Sequence, residues 1–416
     1  MISRLQALMR WGFMQVEALF NRAFGDRLNP YYHLGALTFF LFWIVAGTGL
    51  YLFAFFDTSV TGAYESVERL THKQWFAGGI VRSVHRYASD AMVVTMVIHM
   101  ARYFAFDRLR GFRWFSWVTG VFLVWMVYVA GANGYMLPWD QLAQYVTTAS
   151  FEWLDWIPMF RGTLIRNFIY DTGVSDRLFS LLVFVHIGVP LLTLLLMWVH
   201  VQRVPKATTT PPKPIAISVV VMLLVMAVLV PVVSQGGPAH MATVPSELKL
   251  DWLLLALYPL VHVWSPAATW TLVIGISALL LVQPWLVWQR GRGAGKNLQL
   301  TIHPDARQAG ARPGETILEA GLRAEIPLAY DCRSGGCGVC VCTVLNGKFE
   351  HGPYQPAVLT EAMRAKGMAL MCCAVPLEDL ELEVDDLAPL VRNEFVGTVV
   401  EMQRLAPEVM RVMVQA

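Results

Sequence analysis

Residues 79–101, GIVRSVHRYASDAMVVTMVIHMA, and residues 178–200, LFSLLVFVHIGVPLLTLLLMWVH, are two apolar stretches that each carry a pair of histidines. His85 and His99 in the first, like His186 and His200 in the second, stand 14 residues apart. In an α-helix 14 residues advance about 21 Å and complete nearly four turns, so each pair lines one face at two depths. A lone histidine in such a helix is as readily a hydrogen-bonded polar residue, and neither zinc nor a proton relay calls for so wide a gap. Two equal spacings, on helices running the same way, instead predict two stacked axial pairs. His85 would face His186 and His99 would face His200, each couple gripping a haem iron. No CxxCH motif occurs, so the haems would be held without covalent attachment, as b-type haems are.

Topology supplies the parallel orientation. Apolar runs at 33–56, 79–101, 114–133, 178–200, 215–234 and 266–288 each approach the roughly 20 helical residues needed to cross a bilayer. Across the chain 56% of residues are hydrophobic and 15% charged, which excludes an ordinary soluble protein. The second and fourth of six spans run in the same direction. Basic residues gather before the first span (Arg4, Arg10, Arg22, Arg27) and after the second (Arg102, Arg108, Arg110, Arg113). They gather again after the fourth (Arg203, Lys206, Lys213) and the sixth (Arg290, Arg292, Lys296). Acidic residues such as Asp57, Glu65, Asp140, Glu152, Glu247 and Asp251 dominate the other connections. Positive-inside bias puts the N-terminus and everything after residue 290 in the cytoplasm, with the spans in the cytoplasmic membrane. No cleavable signal pattern is present; residues 2–24 read as an amphipathic helix on the membrane surface.

The cysteines mark a different part of the chain. All six lie between 332 and 373, and a reducing compartment favours a metal centre over disulfides. Cys332, Cys337 and Cys340 have C-x4-C-x2-C spacing, which suits a [2Fe–2S] cluster, and Cys372 or Cys373 offers the fourth thiolate. Zinc competes for four thiolates but usually shows paired CxxC units. A Rieske centre lacks its Cys-x-His pairs, since His351 stands apart. His33, His72, His240, His262 and His303 likewise read as ordinary polar residues. Around the cysteines, 297–304 alternates like a strand and 314–325 reads as a strand passing into a short helix. Asn346–Gly347 within 341–350 signals a hairpin, with a helix at 358–366 and an acidic strand near 380–384. The expected organisation is a surface helix at 1–29, a four-helix di-haem domain at 30–207 and two further spans at 208–290. A linker at 291–296, an α+β cluster domain at 297–390 and a C-terminal segment at 391–416 follow. Thr208–Pro214 (TTTPPKP) links the fourth and fifth spans, and 252–264, interrupted by Pro259, is too short to cross.

Together these features resemble the cytochrome b subunit of quinol-oxidising bc-type complexes over about residues 30–290, fused to a plant-type ferredoxin over about 297–386. The fold class implied is multi-domain: an all-α transmembrane bundle followed by an α+β β-grasp domain. Gly35 and Gly49, and Gly120 and Gly134, repeat the 14-residue step; in the family such glycines let haem rings approach the backbone, which a missing Cβ permits. The family's haem-propionate arginines correspond to Arg82 and Arg102, although both could instead snorkel to the interface. The step from His186 to Pro190 also matches. Gly134–Trp139 (GYMLPW) is similar to the segment bordering the outer quinol pocket. Lys249-Leu250-Asp251-Trp252 stands where the family has Pro-Glu-Trp-Tyr, making Asp251 the candidate proton acceptor. Arg203 and Lys206 face either a quinone or lipid headgroups. The resemblance selects Cys372 over Cys373 as fourth cluster ligand, leaving Cys342 and Cys373 as buried thiols. The family's last two membrane helices have no counterpart here.

Phe395–Ala416 resembles the opening strands of the flavin domain of ferredoxin-reductase-type flavoproteins, so FAD is expected in a separate subunit or in a longer fusion. The expectation is a membrane electron-transfer protein joining a cytoplasmic flavin or NAD(P)H donor, through the cluster and two haems, to or from the quinone pool. It would work as a homodimer or inside a larger complex. The alternative is a redox-sensing or docking membrane subunit without quinone chemistry of its own.

Overall fold

A computed structural model describes residues 2–110, 113–170, 174–204, 207–245, 247–286, 297–352, 354–355, 358–384, 398–406 and 409–415. The linker at 291–296, Lys206 and residues 391–397 of the expected flavin-like strands lie outside these. The chain divides into two units, Met1–Trp288 and Gln289–Ala416.

The first unit is helical. Helix α1 (Ile2–Phe24) turns Leu5, Leu8, Trp11 and Met14 outward at helical spacing, the pattern of a helix with one face left for lipid. Its other face is tied down: Gln6 Nε2 donates to the Phe104 carbonyl at 3.0 Å and Arg10 Nε to that of Ala105 at 3.3 Å. After α1 come α2 (Leu34–Phe55), the short α3 (Gly62–Glu68) and, beyond two π-helical turns at Arg69–Lys73 and Trp75–Gly79, α4 (Ile80–Ala105). Helices α5 (Trp114–Gly134), α6 (Gln141–Asp155), α7 (Thr163–Ile165), α8 (Asp176–Gln202), α9 (Lys213–Leu229), α10 (Tyr258–Val263) and α11 (Pro266–Val282) follow. Helix α2 lies along α4, and α5 along α8. Among the described residues four helices are long and apolar enough to cross a membrane: α2, α5, α8 and α11 continued to Trp285.

The two other expected spans differ from those four for readable reasons. With 26 residues, α4 is long enough, but Arg82, Arg86, Asp90 and Arg102 dilute its apolar character. Helix α9 stops at Leu229 after 17 residues, short of the 234 expected. Pro231 ends it, because a residue preceding proline is driven out of the helical region. Val230 has accordingly left the helical region, at φ −134° and ψ 71°. Residues 252–264 form turns and the one-and-a-half-turn α10, too short to cross, in keeping with Pro259 at its start.

The second unit is a mixed sheet with strand order β2-β1-β7-β3-β5. Its strands are β1 (Leu298–His303), β2 (Arg307–Ala311), β3 (Val341–Asn346), β5 (Met368–Leu370) and β7 (Leu380–Glu383), with β4 (Phe349–His351) and β6 (Ala374–Pro376) paired separately. β1 runs parallel to β7 and antiparallel to β2. Leu300 and Ile302 are fully buried while Thr301 between them is not, the two-residue period of a strand covering a core. Helices α12 (Ile317–Arg323) and α13 (Glu361–Ala365) complete the unit.

Three sequence expectations change here. Residues 314–316 are turn, not strand. The Thr316 side chain accepts from the Glu319 amide and Glu319 answers on the Thr316 amide, a capping box that opens α12. The helix expected at 358–366 starts only after Thr360, which caps it by accepting from the Met363 amide. Gly347 does turn the chain, at φ 100°, but β3 and β4 do not pair with each other. β3 takes β5 and β7 as neighbours, and β4 takes β6. Beyond this sheet, β8 (Thr398–Ala406) and β9 (Val409–Gln415) form an antiparallel hairpin.

Candidate functional site

The four histidines come together as two couples. His85 on α4 and His186 on α8 have ring centroids 6.2 Å apart, and His99 and His200, on the same two helices, are neighbours at the other level. Each ring leans on a glycine of the neighbouring helix. A Cβ added at Gly49 would sit 3.1 Å from His85 Cε1, at Gly35 3.2 Å from His99, at Gly134 2.8 Å from His186 and at Gly120 3.6 Å from His200. The glycines expected to admit haem rings are thus where the imidazoles meet the backbone.

The contact has a chemical purpose. In a helix the carbonyl four residues before a position lies beside that position's Cβ, so a missing Cβ lets an imidazole reach it. His85 Nδ1 donates to the carbonyl of Val45, four residues before Gly49, at 3.1 Å. His186 Nδ1 donates to that of Ala130, four before Gly134, at 2.9 Å. His200 finds the Ser116 carbonyl, four before Gly120, and the Thr119 hydroxyl at 2.9 Å. Gly35 has no helical turn before it, and His99 instead packs on Tyr103 with centroids 4.6 Å apart. A carbonyl only accepts, so Nδ1 carries the proton and Nε2 keeps the lone pair that an iron requires. The residues therefore fit axial haem ligation. An apolar layer of Leu41, Phe42, Ala88, Met92, Leu123 and Val127 is built from the stretches of α2, α4 and α5 between the two levels.

The glycine series gives a graded test. Gly134→Ala places a methyl within 2.8 Å of His186, where something must shift, while Gly120→Ala makes an ordinary 3.6 Å contact. Gly134→Ala is expected to lower bound haem or broaden its absorption, and Gly120→Ala to leave both near the parent. Haem content per chain and the reduced visible spectrum check this.

The arginines assigned to propionates face carboxylates. Arg102 Nε donates to Glu17 of α1 at 2.6 Å and its guanidinium lies over Tyr32. Arg82 donates to Thr71 at 2.5 Å and Ser234 at 3.0 Å, with Glu68 at 3.8 Å. Arg203 lies over the Phe115 ring at 5.2 Å. Asp251 is joined by Tyr135 of the Gly134–Trp139 segment at 2.6 Å, so the two stretches read as a quinol pocket do meet. Sequence reading passed over Glu17, Glu68, Thr119 and Arg86, which is also bonded to Asp251. The only sequence trace of the last was Arg86 and Asp90 at the i,i+4 spacing of a helical ion pair.

In the second unit the cysteine loop wraps on itself. Gly335 has φ 68°, and a Cβ there would come within 2.5 Å of Tyr354 Cβ and 2.9 Å of Cys373 Sγ, so only glycine fits. The Gly336 amide donates to Cys332 Sγ at 3.3 Å and the Cys332 amide to Cys337 Sγ at 3.5 Å. The thiols are neighbours in two pairs, Cys332 beside Cys337 and Cys340 beside Cys372. Among the described residues no three His, Cys, Asp or Glu gather tightly enough for one metal ion. Four thiols held as two pairs fit a two-iron cluster, with one pair per iron. Burial alone would raise the Cys332 thiol, but donors from Ser334, Cys337 and the Gly336 amide outweigh it and hold it down at about 7. The hydrogen bond with Cys372, then burial, pushes Cys340 up, and burial pushes Cys342 up to about 12. Cys342 and Cys373 are buried, and so is Cys340.

Comparison with known proteins agrees with both halves. The family described as cytochrome b/b6/petB matches residues 20–208, and the 2Fe-2S iron-sulfur cluster binding domain matches residues 300–377. A cytochrome b6 from Tupiella akineta is 30% identical over 189 residues, covering 44% of this chain and 86% of that protein. Among solved structures, a hyperthermophilic respiratory Complex III superimposes with a TM-score of 0.52 at 18% identity, over 62% of this chain and 76% of the other. A cytochrome P450 reductase from Amycolatopsis is 30% identical over 28% of this chain and 35% of its own, with a TM-score of 0.21.

Proposed function

The chain belongs to the cytochrome b family and carries a 2Fe-2S ferredoxin domain, and on that footing we propose that it joins a cytoplasmic reductant to the quinone pool of the cytoplasmic membrane. The observation that carries this reading is the stacking of two histidine couples on one pair of helices, each imidazole braced by a glycine of the next helix. His85 with His186, and His99 with His200, would hold two b haems, and Cys332, Cys337, Cys340 and Cys372 a [2Fe–2S] cluster. When bound, these groups supply one-electron transfer.

The chain's own residues do the rest. The Val45, Ala130 and Ser116 carbonyls orient three of the imidazoles and hold the proton on Nδ1, which would leave Nε2 to bind an iron. Arg82 and Arg102 would turn their guanidiniums to propionates, with Glu68 and Glu17 balancing their charge. Amides at Gly336 and Cys332 point at sulfur and stabilise its negative charge. Asp251 presents a carboxylate as proton acceptor for a quinol on the outer side, with Tyr135 bonded to the same oxygen. The donor in this reading is a flavoprotein charged by NAD(P)H, and the chain would work as a homodimer or inside a larger complex.

Anaerobic addition of decylubiquinol to the purified protein is expected to reduce the haems. NADH alone is expected to reduce nothing until a flavoprotein reductase is added. Silence toward decylubiquinol would favour the redox-sensing or docking alternative. Direct reduction by NADH would remove the need for a flavoprotein partner.

A further inference from the structure

Beside His85, Arg86 places its two terminal nitrogens on different carboxylates. Nη1 donates to Asp90, one turn on in α4, and Nη2 to Oδ2 of Asp251. Tyr135 donates to that same Oδ2 at 2.6 Å, its ring lying 4.6 Å from the guanidinium. The other oxygen of Asp251 is already committed. Oδ1 accepts the amides of Leu253 and Leu254 at 2.5 and 2.9 Å. The Asp251 side chain is 6% exposed and those of Arg86 and Asp90 24% each.

This division of labour decides which atom can change partners. Oδ1 is fixed by its own turn of backbone, so any ligand that reaches Asp251 must compete with Arg86 or Tyr135 for Oδ2. A guanidinium keeps its charge throughout the accessible pH range. If Asp251 were its sole counter-charge, letting go would strand a cation in a low-dielectric site, at a heavy cost. Asp90 removes that cost, because it holds Nη1 and is untouched when Nη2 is released. The i,i+4 spacing on one helix sets this second pair.

We propose that Asp90 is a positioning residue for a quinol site at Asp251: it keeps Arg86 neutralised while a quinol hydroxyl takes over the Nη2 contact on Oδ2. The inference rests on the quinone-linked reading above and adds the residue that makes Asp251 available. Arg86 acts as a gate at Oδ2, and Asp90 sets how easily the gate opens.

The test uses the haem-loaded full chain and decylubiquinol, recording both the saturating rate of haem reduction and the quinol concentration at half-saturation. In Asp90→Asn, Arg86 has Asp251 as its remaining anionic partner and holds Oδ2 harder. Half-saturation is expected to rise roughly tenfold while the saturating rate stays within about twofold, the pattern of a lost binding contribution. Asp90→Glu, which restores the charge, is expected to return half-saturation to within about threefold of the parent. Asp251→Asn removes the acceptor itself and is expected to lower the saturating rate instead. An Asp90→Asn protein with unchanged half-saturation overturns the inference, as does one whose saturating rate falls as it does in Asp251→Asn. Failure of Asp90→Glu to rescue, with an intact haem spectrum, overturns it too. If the unmodified protein is not reduced at all, the quinone reading itself fails and takes this inference with it.

Discussion

His200→Ala is expected to yield a protein with one haem in place of the two proposed, losing about half of its visible pigment and keeping the spectrum of the proposed His85–His186 centre. The two couples share helices but not structure. Fourteen residues of α4 and of α8 separate them, about 21 Å along the axis. An apolar layer including Leu41, Ala88, Met92, Leu123 and Val127 fills the stretch between. That layer does not depend on the His200 imidazole, whose contacts are local to Gly120, Ser116 and Thr119. Alanine at 200 would therefore remove one of the proposed haem ligands and leave a cavity at one level. His99 would retain its packing on Tyr103 but lose the opposing nitrogen. The mirror substitution, His186→Ala, is expected to spare the other centre. Pyridine haemochrome content and redox titration of the remaining absorbance measure both. Unchanged pigment in either variant would sink the assignment of these four histidines.

The pairing of the histidines was legible because a helix converts sequence spacing directly into position. Fourteen residues place His85 over His99, and the same step in the glycines follows from the same geometry. What the sequence could not disclose was which atom each glycine exposes. The carbonyls of Val45 and Ala130 become partners of His85 and His186 only once α2 lies on α4 and α5 on α8. The charges closed over longer gaps still. Glu17 meets Arg102 across 85 residues, and Arg86 meets Asp251 across 165, distances at which no local pattern operates. Other misreadings were local and had readable signals. Pro231 should have shortened the fifth helix, and Thr316 with Glu319 spelled a capping box where a strand was expected. Asn346–Gly347 was a turn, as read, but a turn does not choose partners. β3 lies centrally between β7 and β5, and that neighbourhood is set by the sheet as a whole.

Cys372→Ser is expected to abolish the two-iron cluster, whereas Cys373→Ala is expected to keep it, although the two sulfurs are only 3.6 Å apart. Their environments differ. The Cys372 thiol is partly open and bonded to that of Cys340, which places it with the loop cysteines. Cys373 is 8% exposed and turned into the core of the sheet unit. Its sulfur fills the space beside Gly335, and its carbonyl accepts the Gly352 amide at 2.8 Å. Cys373→Ala thus trims a packed side chain while leaving the carbonyl in place, a change worth about 1 kcal/mol of stability. Cys372→Ser deprives Cys340 of its partner and one iron of half its thiolate pair, and a serine oxygen is a poor match for a site built around sulfur. Low-temperature electron paramagnetic resonance of the reduced protein, with acid-labile sulfide per chain, separates the outcomes. A cluster that survives Cys372→Ser and disappears in Cys373→Ala would transfer the fourth ligand to Cys373. It would also require the 370–374 turn to rotate its buried sulfur outward.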